Sequence, residues 1–150
     1  MKPTFHGIVS VGSLFAVTFC ALMFAAAMPA LAQAPYQPKF HGDPARSDSE
    51  AIALGYMRTL VRAENQYQKK NDKYAASLNQ LVHTGTFTRR MTETDRGDYT
   101  VHFRPHKDGY ELTLIPKQLD VQHRSFYTDE DGVIHADESN VATKDSPEVK

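Results

Sequence analysis

The chain of 150 residues has one cysteine and no tryptophan. A single cysteine excludes an internal disulfide and any multi-cysteine zinc or iron–sulfur site within one chain. An excess of charge of one sign is also missing. Lys and Arg number 17 against 18 Asp and Glu, a net charge of −1, whereas nucleic-acid binders carry a basic surplus. The signatures of common chemistries are absent as well. There is no Gly-x-Ser-x-Gly elbow around Ser77 or Ser125, no His-Glu-x-x-His and no glycine-rich phosphate loop. The length allows one domain.

One long hydrophobic run is present. From Ile8 to Met28 no residue is charged, and Lys2 supplies a thin positive start. Pro29 breaks the run, and Ala30-Leu31-Ala32 fits the small-x-small pattern of a signal-peptide cleavage site. Cleavage after Ala32 leaves 150 − 32 = 118 residues and takes Cys20 away with the leader. Residues 1–32 are therefore expected to be a signal peptide and the mature chain to be periplasmic or secreted. The run is also about 20 residues long, enough to span a bilayer if it is retained as an anchor. Residues 33–46, with prolines at 35, 38 and 44, read as an extended spacer.

A helix is expected over about 48–70. Ser47 or Ser49 can cap it, and Asp48 and Glu50 lie in the first turn, where the macrodipole favours anions. Ile52, Tyr56, Leu60, Ala63 and Tyr67 form one apolar stripe, flanked by Ala53, Met57 and Val61. Gly55 costs roughly 1 kcal/mol against alanine there, which a close crossing would explain. A second, shorter helix is expected at Ala75–Val82, burying Leu78, Leu81 and Val82. In the polar stretch from Thr84 to Gly97, Phe87 and Met91 are the residues able to pin it to the core.

The period then changes to two. Tyr99, Val101 and Phe103 alternate with polar neighbours, Lys107-Asp108-Gly109 is a turn signal, and Tyr110, Leu112 and Leu114 alternate again. Arg124–Thr128 reads as a third strand and Val133–His135 as a fourth, joined by the loop Asp129-Glu130-Asp131-Gly132. The domain expected over 47–136 is thus α+β, with a long and a short helix on about four antiparallel strands. Residues 137–150 read as a polar, acidic, frayed tail. From Gln33 to Thr128 there are 14 basic and 11 acidic residues, and from Asp129 onward 2 against 7.

Four segments in order carry a family likeness: Tyr74-Ala-Ala-Ser-Leu-Asn-Gln-Leu81, Gly97-Asp-Tyr-Thr-Val-His-Phe103, Gly109-Tyr-Glu-Leu-Thr-Leu-Ile-Pro116 and Arg124-Ser-Phe-Tyr-Thr-Asp-Glu-Asp-Gly-Val-Ile134. Over about residues 50–136 this resembles the globular heads of bacterial type IV pilin-like proteins. The resemblance implies a helix-plus-meander head and a place in an envelope assembly. Pilins are cut after a glycine and carry a glutamate five residues into the mature chain. Here Gly7 is followed by Ile8, the fifth position is Gly12, and no glutamate precedes Glu50.

Asp129 and Asp131 are the metal candidates, because alternate carboxylates in a tight loop can offer oxygens to Ca²⁺. The plainer role of that loop is a turn with Gly132 at positive φ. His102, His106, His123 and His135 lack metal-ligand spacing, although His123 and His135 could meet across the last hairpin. Arg89, Arg90 and Arg96 make a local basic patch open to an anion. The expectation is a non-enzymatic, pilin-like interaction module of the cell envelope, without cofactor or nucleic acid, recognising protein partners. It touches the membrane only if the leader is retained. The alternatives are a membrane-anchored minor component of a type IV pilus or type II secretion-like assembly, and a small envelope hydrolase.

Overall fold

A computed structural model describes residues 36–38 and 40–150. The signal-peptide and anchor expectations, and Cys20, lie outside these residues. Among the described residues no helix is long and apolar enough to cross a membrane.

Helix α1 runs Asp48–Asn71. Ser47 is its cap, its hydroxyl accepting from the Glu50 N–H at 3.2 Å. The helix ends at Asp72, which takes the left-handed conformation (φ 56°) while its N–H donates to the Gln68 carbonyl at 2.8 Å. A short acidic side chain tolerates that geometry better than most.

The strands are β1 (Asp95–Arg96), β2 (Tyr99–His106), β3 (Gly109–Pro116), β4 (Ser125–Asp129) and β5 (His135–Asp137). They form one antiparallel meander in the order β1-β2-β3-β4-β5. In the β2–β3 hairpin, Val101 faces Leu114 and Phe103 faces Leu112. Pro105 is tolerated because β1 covers only the first two residues of β2, so the proline lies on an open edge. The core lies between α1 and one sheet face. Leu54, Met57 and Leu60 meet Tyr99, Leu112, Leu114 and Phe126, and Leu81 and Phe87 close one side. Phe87 and Met91 do pin their stretch to this core.

Several expectations change. The buried face of α1 is rotated from the apolar stripe. Ile52 points to solvent at 64% exposure, while Glu50 and Glu64 are fully buried. An apolar stripe assumes charged residues outside, and two carboxyl groups here are inside. The short helix at Ala75–Val82 is only a 3-10 turn, Leu78–Leu81, with Val82 half-buried. The sheet has five strands, since a tight turn at Gly97 lets Asp95 and Arg96 pair back on β2. The last strand is His135–Asp137 and not Val133–His135, because the Asp131 carboxylate takes the Val133 N–H at 2.8 Å. Gly132 does adopt positive φ, at 74°.

The two flanks are docked. Ala45, at the end of the expected spacer, is buried, and Tyr36 packs on the core. The tail expected to fray is a strap along β5. The Ala136 N–H donates to the Pro147 carbonyl at 2.9 Å, and the Val149 N–H to the Ile134 carbonyl at 2.8 Å. Ala142 is buried. The strap occupies an edge that would otherwise offer free backbone groups, a purpose that polar composition does not reveal.

Candidate functional site

The N-terminal end of α1 is held by a buried ion pair. The Glu50 carboxylate accepts four hydrogen bonds, from the N–H, Nε and Nη2 of Arg124 at 2.9, 2.9 and 2.8 Å and from the Arg46 N–H at 2.8 Å. Arg124 Nη2 also donates to the Pro44 carbonyl at 2.8 Å, and its guanidinium lies 5.5 Å from the centre of the Phe126 ring. Nearby, the Ser47 hydroxyl donates to the Gln122 carbonyl at 2.7 Å, and Arg46 Nη2 pairs with Glu138 at 2.6 Å. The helix start, the chain before it, the β3–β4 connection and the strap are thereby fixed together. Both charges are desolvated, but the carboxylate's lone pairs are filled, the condition under which such a pair is tolerated.

This clamp sets the outward face of α1. A groove of about 430 Å³ runs along it, lined by Phe40, Ala51, Ile52 and Gly55, with Asp43, Asp48 and Arg58 also on its walls. Phe40 and Ile52 expose 74% and 64% of their surface. A Cβ added at Gly55 would meet nothing within 4 Å, so no part of the described chain uses the close approach that glycine permits. Large apolar side chains gathered at an open groove mark contact surfaces. The sequence reading placed Ile52 in the core and so missed this face. Its signal was Gly55 beside an isoleucine, opposite two inward glutamates.

The metal candidates are engaged by the chain itself. Asp129 is buried, and its Oδ2 accepts from Lys144 Nζ at 2.8 Å and its Oδ1 from the Asp131 N–H at 3.1 Å. Asp131 Oδ2 lies 3.6 Å from the same ammonium. Burial pushes the Asp129 carboxyl up, but the Lys144 hydrogen bond and the Asp131 N–H outweigh it and hold its pKa below the usual range. The Asp129 contact raises that of Lys144. A lysine thus occupies the position where a cation would sit, and Ca²⁺ needs six or more oxygens. No group of three or more metal-ligating side chains is found among the described residues.

The other candidates are dispersed. His123 Nδ1–H donates to Asp120 at 2.9 Å and His135 Nδ1–H to the Ser146 carbonyl at 2.6 Å, so each has its own partner. His102 and His106 lie four residues apart on β2, about 13 Å at strand rise. The Ser125 hydroxyl donates to the Asn140 carbonyl and accepts from the Ala142 N–H, both at 2.6 Å, which ties the strap down. Ser77 precedes the 3-10 turn and makes no side-chain cap. Of the basic patch, Arg96 folds inward over the Tyr56 ring at 4.4 Å, leaving Arg89 and Arg90 exposed. Burial pushes the Tyr56 phenol up to about 12, the nearby Arg96 charge opposing it. Its hydroxyl donates to the Met91 carbonyl at 3.1 Å.

The polar group of the core that stands apart is Glu64. Its side chain is inaccessible to solvent. Oε2 accepts from the Ala75 N–H at 3.0 Å, and Oε1 has no hydrogen-bond partner among the described residues. Burial raises its pKa to about 7, against the lowering effect of the Ala75 N–H.

Comparison with protein families, characterised proteins and solved structures finds no match to this chain.

Proposed function

We propose that the chain is a secreted or periplasmic, non-enzymatic interaction module of the cell envelope, with a pilin-like head that recognises protein partners. The observation that carries this reading is the open apolar groove on α1, with Phe40 and Ile52 exposed around an uncovered Gly55. The leader-like segment 1–32 supports the compartment. The order of helix and antiparallel meander is what the pilin resemblance implies. In this reading the buried charges serve to hold the scaffold rigid behind the contact face. A second reading, a membrane-anchored minor component of a type IV pilus or type II secretion-like assembly, is favoured by the length of the uncharged run from Ile8 to Met28.

Fractionation of cells producing the native protein, with mild cross-linking and intact-mass analysis, tests the proposal. The expected result is a chain starting at Gln33 in the periplasm or medium, cross-linked to a protein partner that the Ile52→Glu variant loses. A chain retaining Met1 or Lys2 in the membrane fraction selects the anchored reading. A chain confined to the cytoplasm, or a variant that keeps every partner, contradicts the proposal.

A further inference from the structure

The chain keeps its acidity at one end. From Asp129 onward there are 2 basic and 7 acidic residues, against 14 and 11 from Gln33 to Thr128. The fold gives that gradient a direction. Along β4, Phe126 and Thr128 point into the core beneath α1, so Ser125, Tyr127 and Asp129 point to the other face of the sheet. The strap is tied to that far face, through Ser125 to Ala142 and through Asp129 to Lys144. The outward face of α1 and the strap therefore lie on opposite sides of the sheet.

Each side carries charges that the fold leaves unpaired. On α1, Arg58, Arg62 and Lys69 are exposed, and at 100° per residue they lie within about 40° of one another. They make a row about 16 Å long, which starts at the groove that Arg58 lines. None of the three has an ion-pair partner among the described residues. On the strap side, Glu138 is taken by Arg46, and Asp137 by the Ser139 and Asn140 N–H groups. Lys144 is taken by Asp129. Asp145 and Glu148 are exposed and have no ion-pair partner among the described residues. They are at most about 10 Å apart along the chain, close to the rise from Arg62 to Lys69, also about 10 Å. Val141, 50% exposed on the same strap, gives it apolar surface to set against Ile52.

We propose that the strap of one copy docks on the α1 face of the next, with Asp145 and Glu148 set on the row Arg58, Arg62 and Lys69. The contact joins two different patches, so it is heterologous, and each copy keeps one patch free for a further copy. Copies add head to tail, closing as a ring or continuing as a filament. The pairs are solvent-exposed, each contributes little, and association is weak. The proposal rests on the reading of the α1 face as the contact surface and names its occupant.

Light scattering and sedimentation of the protein purified in its native form, from micromolar to millimolar concentration, test it. The wild type is expected to grow to three chains or more, less readily at high salt. Arg58→Gln/Arg62→Gln/Lys69→Gln and Asp145→Asn/Glu148→Gln are each expected to weaken association about tenfold or more. Both keep near the wild-type melting temperature, since none of the five side chains is paired within the fold. Each variant retains the patch that the other lacks. Their equal mixture is expected to form a species of two chains and nothing larger. A wild type that stays monomeric throughout, growth that stops at two chains, or a mixture no more associated than its parts overturns the proposal. If the wild type is monomeric and Ile52→Glu still loses an envelope partner, self-docking falls while the contact surface stands. If Ile52→Glu also changes nothing in cells, both fall.

Discussion

Arg124→Ala is expected to lower the stability of the fold by about 3–5 kcal/mol, read by denaturant unfolding. The physical reason is what the substitution leaves behind. Glu50 is fully buried, and three of the four hydrogen bonds to its carboxylate come from Arg124. Alanine keeps the backbone N–H but removes the guanidinium, so a desolvated negative charge faces one end of α1 with two backbone donors. The Pro44 carbonyl loses its donor at the same time. Glu50→Gln keeps the shape and loses the charge, and is expected to cost less, about 1–3 kcal/mol. Equal losses for the two variants, or a loss under about 1 kcal/mol for Arg124→Ala, contradict the clamp. Because the clamp anchors the segment that carries Phe40, Arg124→Ala also loosens the groove.

The second large effect is a pH dependence set by Glu64. An acid whose folded pKa stands near 7 against an ordinary value of 4.5 binds its proton more tightly in the fold than in the unfolded chain. The fold therefore bears no penalty below about pH 4.5. The penalty grows as pH rises through the folded pKa, and levels off above it at about 3 kcal/mol. The Glu64 charge reaches the Tyr110 phenol on β3, which burial pushes far up, so that this neighbour stays neutral across the window. Glu64→Gln should match the wild type near pH 4 and melt at a higher temperature at pH 8. Identical pH profiles for the two proteins contradict this account of Glu64. Ionised Glu64 is drawn toward water, and the segment from Asp72 to Ala75 is what it would loosen, since the Ala75 N–H is its one donor among the described residues.

Much of this architecture is legible in residue order. The caps, the period-two runs and the glycine turns place α1 and the main hairpins within a residue or two, because those signals are local. What escaped was decided by partners distant in sequence. Glu50 belongs in the core because Arg124, seventy-four positions away, meets it there. With Glu50 and Glu64 turned inward, Ile52 must face out, and no periodicity count that treats charge as surface recovers that. The strap escaped for the same reason. Its anchors, Ser125 to Ala142 and Asp129 to Lys144, are side-chain contacts of polar residues that look like a solvated end. The Asp129–Asp131 loop drew a metal reading because two carboxylates were visible and the lysine between them was not.

The central claim is that the outward face of α1 is where this protein meets its partners. A photo-cross-linking side chain placed at position 52 of the protein produced in its own cells tests it most directly, with one at position 107, on the β2–β3 turn, as the reference. The account predicts a discrete protein adduct from position 52, whether a second copy or another envelope protein, and none from position 107. Adducts of equal yield from both positions, or none from position 52, would contradict it.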